Sequence, residues 1–594
     1  MPNFQNPLII QSDRTLLLDV HAPLSKECAH ALVPFAELEK SPEHLHTYRL
    51  TALSLWNAAG AGLSAEDAVN TLRTFSRYDV PESVETWIFD IASRFGSLRL
   101  LPAPSEKAAD GSEKEFLFLV AKNEAIFREI VASPVAKKYL SVAPYRFQNG
   151  VFVSEEESSH CFRLSLTDRG TVKQSLLSIG FPVKDEVPLV PGTPLDISLR
   201  ETTLLQKTFC VRPYQVEAAE AVIGNGGAGT GFGTVVLPCG AGKTIVGLKA
   251  MSLVKENTLI ITTNISAVHQ WISELLDKTN LTRDQIAEYT GEEKSVKSVT
   301  VATYQILTWR ADKDGSYPHF SIFRKNGWGL IIYDEVHTLP APVFRVVAEL
   351  QAVRRLGLTA TLVREDGMEG HVFSLVGPKR YDVPWKDLEG SGFIAHAECI
   401  EIRVDIPENQ KIEYAVSENR KKHRIASDNE KKDEVVKILV EKSPLDKILV
   451  IGQYVSQLHR IAKILKSPII TGKTPTRERD KIYEDFRAGK IRVLVVSKVA
   501  NFAIDLPDAS MAIQVSGTFG SRQEEAQRLG RILRPKERNA RFFTLITHGT
   551  VEEEFGASRQ KFLAEQGYSY RLMRVRSQKD AEVAAQVGAM LLEG

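Results

Sequence analysis

Cysteine is scarce in this chain, and the few present do not pair. The five cysteines in 594 residues, Cys28, Cys161, Cys210, Cys239 and Cys399, form no C-x-x-C. That scatter argues against a disulfide scaffold, a zinc ribbon or an iron–sulfur cluster, and fits a reducing compartment. An excess of one charge is also missing, since 75 Lys and Arg face 74 Asp and Glu. A nucleic-acid partner stays open, because a basic groove can sit inside a neutral total. No apolar run approaches the length of a membrane span, which excludes a helical membrane protein. The opening MPNFQNPLII has no basic region before its short apolar patch, so it is a poor secretion signal. A cytoplasmic protein with no membrane partner is expected. What is present is an ordinary globular composition, 43% hydrophobic and 25% charged. The chain is too long for one core, and three or four domains are expected.

Residues 1–100 read as mixed but largely helical. In GLSAEDAVNTLRTF, Ser64 and Asp67 have the spacing of a helix start, and Ala68, Leu72 and Phe75 follow at helical intervals. LRLLPA and EFLFLVA read as strands, with Ser105–Lys114 between them as a linker or a long hairpin loop. Residues 131–200 read as shorter strands and turns. From about residue 200, β-rich apolar runs alternate with helical stretches. The first series is GTVVL, TLIITT, SVTVATY, GLIIY and RRLGLTAT; the second is KILVIGQY, SPIITG, RVLVVS, SMAIQVSG and RFFTLIT. Such alternation means crossover units and parallel sheets buried on both faces. Two α/β lobes are therefore expected either side of Trp385–Ala395.

VVLPCGAGKT, Val235–Thr244, is a phosphate loop with one glycine missing. The pattern G-x-x-x-x-G-K-[ST] wants Gly at 237, where Leu237 stands. Only the residues nearest the phosphates must lack a side chain, and those are Gly240 and Gly242, with Ala241 between them. Lys243 then suits the β and γ phosphates and Thr244 suits Mg²⁺. Alone, such a short match also arises by chance. About ninety residues on, GLIIYDEVH is an apolar strand ending in two carboxylates. A buried strand delivers them to the crevice where open α/β sheets bind ligands. Asp334 is the candidate Mg²⁺ ligand and Glu335 the candidate base for the attacking water. In the second lobe, EEAQRLGRILRP spaces Gln527, Arg531 and Arg534 by four and three, one face of a helix. A salt-bridged surface helix is the plain alternative. As cations supplied from across a cleft, Arg531 and Arg534 would stabilise phosphoryl transfer.

LPCGAGKT, YDEVH, LTAT and QRLGRILR, in this order, resemble superfamily 2 helicases, whose first motif commonly lacks the outer glycine. The resemblance implies two RecA-like lobes that bind ATP and Mg²⁺. VRPYQ resembles the adenine-reading segment, which implies nucleotide contacts from Arg212 and Gln215. Arg364-Glu365-Asp366, directly after T-A-T, resembles an element of the XPB family, the DNA translocase/helicase of transcription and nucleotide excision repair. SRQKFLAEQGYSYRL and the stretch from NPLIIQSDRTLLLDV to LTALSLWNAA resemble that family's tail and front end. The implied plan is an α+β N-terminal domain over 1–130, a small damage-recognition-like domain over 131–200, and lobes over 201–390 and 391–594. The family's positively charged thumb-like insertion corresponds to Asn419–Lys442, which is short here and reads as one charged, solvated helix.

The implied motor closes two lobes on ATP and reopens after hydrolysis. Its grip on DNA should be on phosphates, independent of sequence. By resemblance the DNA-side positions are Thr263, Thr303 and Tyr304 in the first lobe and Thr471, Gly472 and Lys498 in the second, with Arg364, Glu365 and Asp366. Thr359 and Thr361 would couple hydrolysis to grip, and Asp505 would organise the ATP side. The family implies 3′ to 5′ movement on DNA and a nuclease or repair/transcription protein as partner. Three readings stay open: a helicase, a duplex translocase without strand separation, and an ATP-inert scaffold for repair partners.

Overall fold

The computed structural model describes residues 3–32, 34–40, 45–103, 106–107, 113–114, 116–144, 155–165, 168–187, 191–204, 206–224, 230–238, 240–310, 318–319, 322, 326–338, 353–360, 372, 376–383, 385–497, 509–517, 525, 528–530, 532, 539–565, 568 and 570–586. They fall into two compact units: Met1–Glu39, Glu43–Val236 and Lys243–Asp382 form the first, and Lys40–Pro42, Leu237–Gly242 and Val383–Gly594 the second.

The first unit holds the front of the chain and one lobe. At its start, Ser64 caps the helix Ala65–Phe75 and Asp67 completes a capping box, as the spacing predicts. This helix buries Ala68, Val69 and Leu72 in a core shared with a four-stranded sheet that begins at Leu8–Ile10 and Thr15–Asp19. A separate five-stranded sheet pairs Leu98–Pro102 antiparallel with Phe116–Ala121, and the latter antiparallel with Cys161–Ser165. Its strands come from both sides of residue 130, so a domain division there would cut a sheet. The segment 131–200 is also more helical than its turn-rich composition suggests, with helices at Pro134–Tyr139, Glu155–Ser159 and Arg169–Ser178.

Lobe 1 is a seven-stranded, wholly parallel sheet, the RecA-like arrangement expected. Across it run Ile286–Tyr289, Val299–Thr303, Thr258–Thr262, Leu330–Asp334, Arg354–Thr359, Phe232–Val236 and Lys379–Asp382. The strands Thr258–Thr262 and Val299–Thr303 are buried at every position, as a sheet covered on both faces requires. Leu330–Asp334, Arg354–Thr359 and Phe232–Val236 are adjacent, so their C-terminal ends open on one crevice edge. Residues 191–204 are strapped to this lobe: Leu195 N–H donates to the Lys255 carbonyl and Arg200 N–H to that of Lys278, each at 2.9 Å.

The second unit carries lobe 2, again seven parallel strands. Their order is Ile469–Ile470, Val493–Ser497, Ile448–Gly452, Met511–Gln514, Ala540–His548, Ala397–Asp405 and Tyr570–Val575. Asn419–Lys442 departs from the single solvated helix expected. It forms two helices, Asn419–Ser427 and Lys431–Glu441. The reason is buried polarity and an apolar stripe: Val435, Val436, Leu439 and Val440 enter the core, and Lys432, 0% exposed, donates to both carboxylate oxygens of Glu552. Among the described residues, no helix is long and apolar enough to cross a membrane.

Candidate functional site

The phosphate loop follows the strand Phe232–Val236 and leads into the helix Lys243–Val254. Leu237, where a glycine was missing, is fully buried. The conformational demand falls later, on Gly240 and Gly242, whose φ angles of 84° and 79° favour glycine. Ala241 N–H closes the turn on the Pro238 carbonyl at 3.2 Å. Lys243 and Thr244 therefore open a helix whose first N–H groups have no intrahelical acceptor, a ready setting for an anion.

The next strand but one, Leu330–Asp334, delivers the paired carboxylates. Asp334 is tightly held: Trp271 Nε1 donates to Oδ2 at 2.9 Å, and Glu335 N–H donates to Oδ1 at 3.1 Å. Burial, and then the neighbouring Glu335 charge, push the Asp334 carboxyl up to about 6. Glu335 stands in the left-handed region at φ 50°, unusual for a residue with a side chain. That backbone turn brings its Oε1 to 3.7 Å from Lys243 Nζ and its Oε2 to 3.5 Å from His337 Nδ1. His337 Nδ1 in turn shares a hydrogen bond of 2.7 Å with the Thr359 hydroxyl. Lys243, Glu335, His337 and Thr359 thus form a continuous polar chain from the phosphate loop to the end of the neighbouring strand.

This donor set fits a hydrated Mg²⁺. Each Asp334 oxygen keeps a lone pair beyond the bond it accepts, Thr244 offers a hydroxyl at the helix start, and Mg²⁺ needs only one or two protein oxygens. Gln215 is 4% exposed in the helix Pro213–Ile223. Its Oε1 accepts from Arg212 N–H at 3.0 Å, and Arg212 Nη1 donates to the Tyr214 hydroxyl at 3.2 Å.

The DNA-side positions divide. Gln305 Nε2 donates to the Thr263 carbonyl, which ties the two lobe 1 segments together. The Thr303 hydroxyl accepts from Ile306 N–H as a helix cap. Tyr304 is not at a surface, contrary to the expected DNA contact. It is 3% exposed, and its hydroxyl donates to the Asp334 carbonyl at 3.0 Å. An aromatic ring following a buried strand packs into the core and supports the carboxylate turn. In lobe 2, Thr471 is nearly buried, with its hydroxyl accepting from Lys473 N–H at 3.3 Å, and Gly472 lies exposed in the same turn. Thr361, Arg364, Glu365, Asp366, Lys498, Asp505, Gln527, Arg531 and Arg534 lie outside the described residues.

Two residues of this site escaped sequence reasoning. His337 ends the quoted YDEVH but carried no assigned role. Trp271 reads only as an apolar position on the helix Ile265–Lys278. Its indole reaches Asp334 because Gly247, on the phosphate-loop helix, leaves room: a Cβ there would stand 2.6 Å from the ring.

Comparison with known proteins settles the lineage. Residues 388–589 match the ERCC3/RAD25/XPB C-terminal helicase model. Residues 208–364 match the type III restriction enzyme res subunit model, and residues 8–143, in the front region, match a helicase conserved C-terminal domain model. The "DNA 3′-5′ helicase XPB" of Kineococcus radiotolerans is 48% identical over 96% of this chain and 96% of its own. The chain belongs to the XPB family of helicases. Its XPB relative in Mycobacterium tuberculosis, also named a DNA 3′-5′ helicase, is 47% identical over 95% of this chain and 97% of its own. In Saccharomyces cerevisiae the "general transcription and DNA repair factor IIH helicase/translocase subunit XPB/SSL2" is 31% identical over 95% of this chain and 72% of its own. Helicase membership makes this an ATP-dependent enzyme.

Proposed function

We propose that this XPB-family chain is a DNA-dependent ATPase that moves 3′ to 5′ along DNA and separates its strands. One observation carries the reading: the phosphate-loop lysine, Lys243, faces Glu335 at 3.7 Å beside the half-buried Asp334. Lys243 binds the β and γ phosphates, and Gly240, Ala241 and Gly242 present backbone N–H groups to them. Thr244 and Asp334 hold Mg²⁺, which when bound neutralises charge on the phosphates. Glu335 orients the attacking water and takes its proton. Arg212 and Gln215 flank the base, and Gln527, Arg531, Arg534 and Asp505 complete the site from lobe 2. His337 and Thr359 pass the state of Glu335 toward the segment with Thr361 and Arg364–Asp366. Thr263, Thr471, Gly472 and Lys498 mark the DNA side, with backbone groups and hydroxyls on phosphates, and Thr303, 4% exposed, supports them as a helix cap. A repair nuclease or a transcription protein is the fitting partner, given the family and the name of the yeast relative.

ATP turnover without nucleic acid, then with single-stranded DNA, duplex DNA and RNA, tests this reading. Strong stimulation by DNA, lost in Lys243→Ala while DNA binding persists, is expected. Turnover in Lys243→Ala equal to that of the unaltered chain would contradict it. Strand displacement measured beside triplex displacement separates unwinding from bare translocation, which removes the third strand while leaving the duplex closed.

A further inference from the structure

The front of the chain meets lobe 1 around a cavity of about 420 Å³ that the proposed chemistry does not use. All the residues lining it belong to the first unit. The helix Ala52–Gly60 brings Trp56 and Ala59, the helix Arg169–Ser178 brings Lys173 and Leu177, and lobe 1 brings Phe232 and Arg380. Such a volume falls within the roughly 300–1,000 Å³ of pockets that enclose small organic ligands. The cavity is not the ATP crevice. Phe232 opens the strand Phe232–Val236, and the phosphate loop follows its other end, about 13 Å away at the rise of a strand.

One wall is rich in positive charge. Asp185 lines the cavity, and its carboxylate takes Arg169 Nη2 at 2.6 Å and Lys173 Nζ at 2.8 Å. Arg169 is 2% exposed, and its Nη1 is buried with no hydrogen-bond partner among the described residues. Arg355, 1% exposed, adds a third cation close enough to act on Lys173. Burial first, helped by the charges of Arg169 and Arg355, pulls the Lys173 ammonium down to about 8 although Asp185 opposes them. Arg380 reaches the cavity from lobe 1 and donates to the Gly60 carbonyl at 3.2 Å. The remaining charges on the wall, Lys184 and Glu186, pair with each other at 2.8 Å. One carboxylate therefore answers a cluster of three cations, and where water is scarce their attraction for a further anion is strong. Elsewhere the lining is apolar and partly flat, from Trp56, Phe95 and Leu177. The Trp56 N–H is already engaged, donating to the Ile91 carbonyl at 2.9 Å.

We propose that this cavity binds a small aromatic anion, an aryl carboxylate or aryl phosphate, with its charge drawn by Lys173, Arg380 and the cations behind them and its ring against Trp56, Phe95 and Leu177. The ligand touches the front helix, the middle segment and lobe 1 together, so binding stabilises the joint between them.

Isothermal titration calorimetry on the full chain tests this, with saturating ADP and Mg²⁺ to keep the nucleotide site filled. The probes are naphthalene carboxylate, naphthyl phosphate, naphthylmethylammonium and inorganic phosphate. Both aryl anions should bind once per chain with Kd of about 1 mM or tighter, as good fragments of this size do, and should raise the melting temperature. The aryl cation and inorganic phosphate should bind at least about tenfold more weakly, for want of the charge-assisted bond or of the apolar contact. Lys173→Met leaves Asp185 its pair with Arg169, and Ala59→Phe puts a ring into the cavity. Each should weaken both aryl anions at least about tenfold. Ala59→Phe carries the test if Lys173→Met fails to fold, and the comparison of anion with cation in the unaltered chain needs neither variant. Absence of aryl-anion binding overturns the proposal, as does an aryl cation that binds equally well. Inorganic phosphate binding as tightly as naphthyl phosphate overturns the aromatic class, and affinities unchanged in both variants overturn the site.

Discussion

Trp271 illustrates how one residue can serve a site without touching its ligand. Its N–H fixes one oxygen of Asp334, so Trp271→Phe should keep the apolar packing and lose the orientation. Removing such supporting bonds costs about 10–100-fold in metal affinity or activity, and the ATPase should need correspondingly more Mg²⁺ for half-maximal rate. A Mg²⁺ titration checks this, and an unchanged midpoint would count against the role. His337→Ala acts elsewhere, because its imidazole joins Glu335 to Thr359. It should depress the DNA-stimulated rate more than the basal rate, read as the ratio of the two. At this scale the sequence revealed the groups with family-wide chemistry, Lys243, Asp334 and Glu335. Trp271 was not legible, because its position in the sequence says only that it is apolar, and its partner is 63 residues away.

Among the elements, the buried strands were readable and the mixed ones were not. Phe232–Val236, Leu330–Asp334 and Val493–Ser497 are short apolar runs, which parallel sheets demand on both faces. Lys379–Asp382 consists of Lys-Arg-Tyr-Asp, and Ala397–Asp405 alternates charge with aliphatic residues. Tertiary pairing alone makes them strands. The Asn419–Lys442 run misled for a related reason: its charges suggest solvent, yet Lys432 has a buried partner contributed from far along the chain. Elements also set what a glycine must be. Gly247→Ala would drive a Cβ into the packed Trp271 ring, so it should destabilise lobe 1 by about 1–3 kcal/mol, as overpacked cores do. Chemical denaturation measures it, and a loss below about 0.5 kcal/mol, typical of neutral surface changes, would contradict the packing described.

At the scale of the molecule, the first unit joins the front of the chain to lobe 1. Arg380 Nη2 donates to the Gly60 carbonyl at 3.2 Å, and Arg169 and Lys173 pair with Asp185 at 2.6 and 2.8 Å. Burial alone would raise the Asp185 carboxyl, but the charges of Arg169 and Lys173 and their hydrogen bonds hold it well below its usual value of 3.8. A depressed carboxylate stabilises the fold fully above its unfolded value and loses that contribution as pH falls below it. Asp185→Asn should therefore destabilise the protein at pH 7, by about 3–5 kcal/mol if the two cations stay buried unpaired. The difference from the unaltered chain should shrink as pH falls below about 4. Thermal melts across pH check the convergence, and a constant gap would contradict it. The two-lobe plan was legible from strand–helix alternation and ordered motifs. In the five-stranded front sheet, Leu98–Pro102 and Phe116–Ala121 were legible as strands either side of a loop, while the pairing with Cys161–Ser165 was not, because that strand is distant in sequence and no local pattern records its partner.

The central claim is that nucleotide draws the two lobes together. Fluorescence energy transfer between a dye on exposed Cys210 and one on Leu445→Cys, also an exposed position, tests it most directly. With DNA and a non-hydrolysable ATP analogue, the account predicts a change in transfer that Lys243→Ala abolishes and that Glu335→Gln, given ATP, holds long after the unaltered chain has reversed it. Transfer that is the same with and without nucleotide in all three proteins would contradict the account.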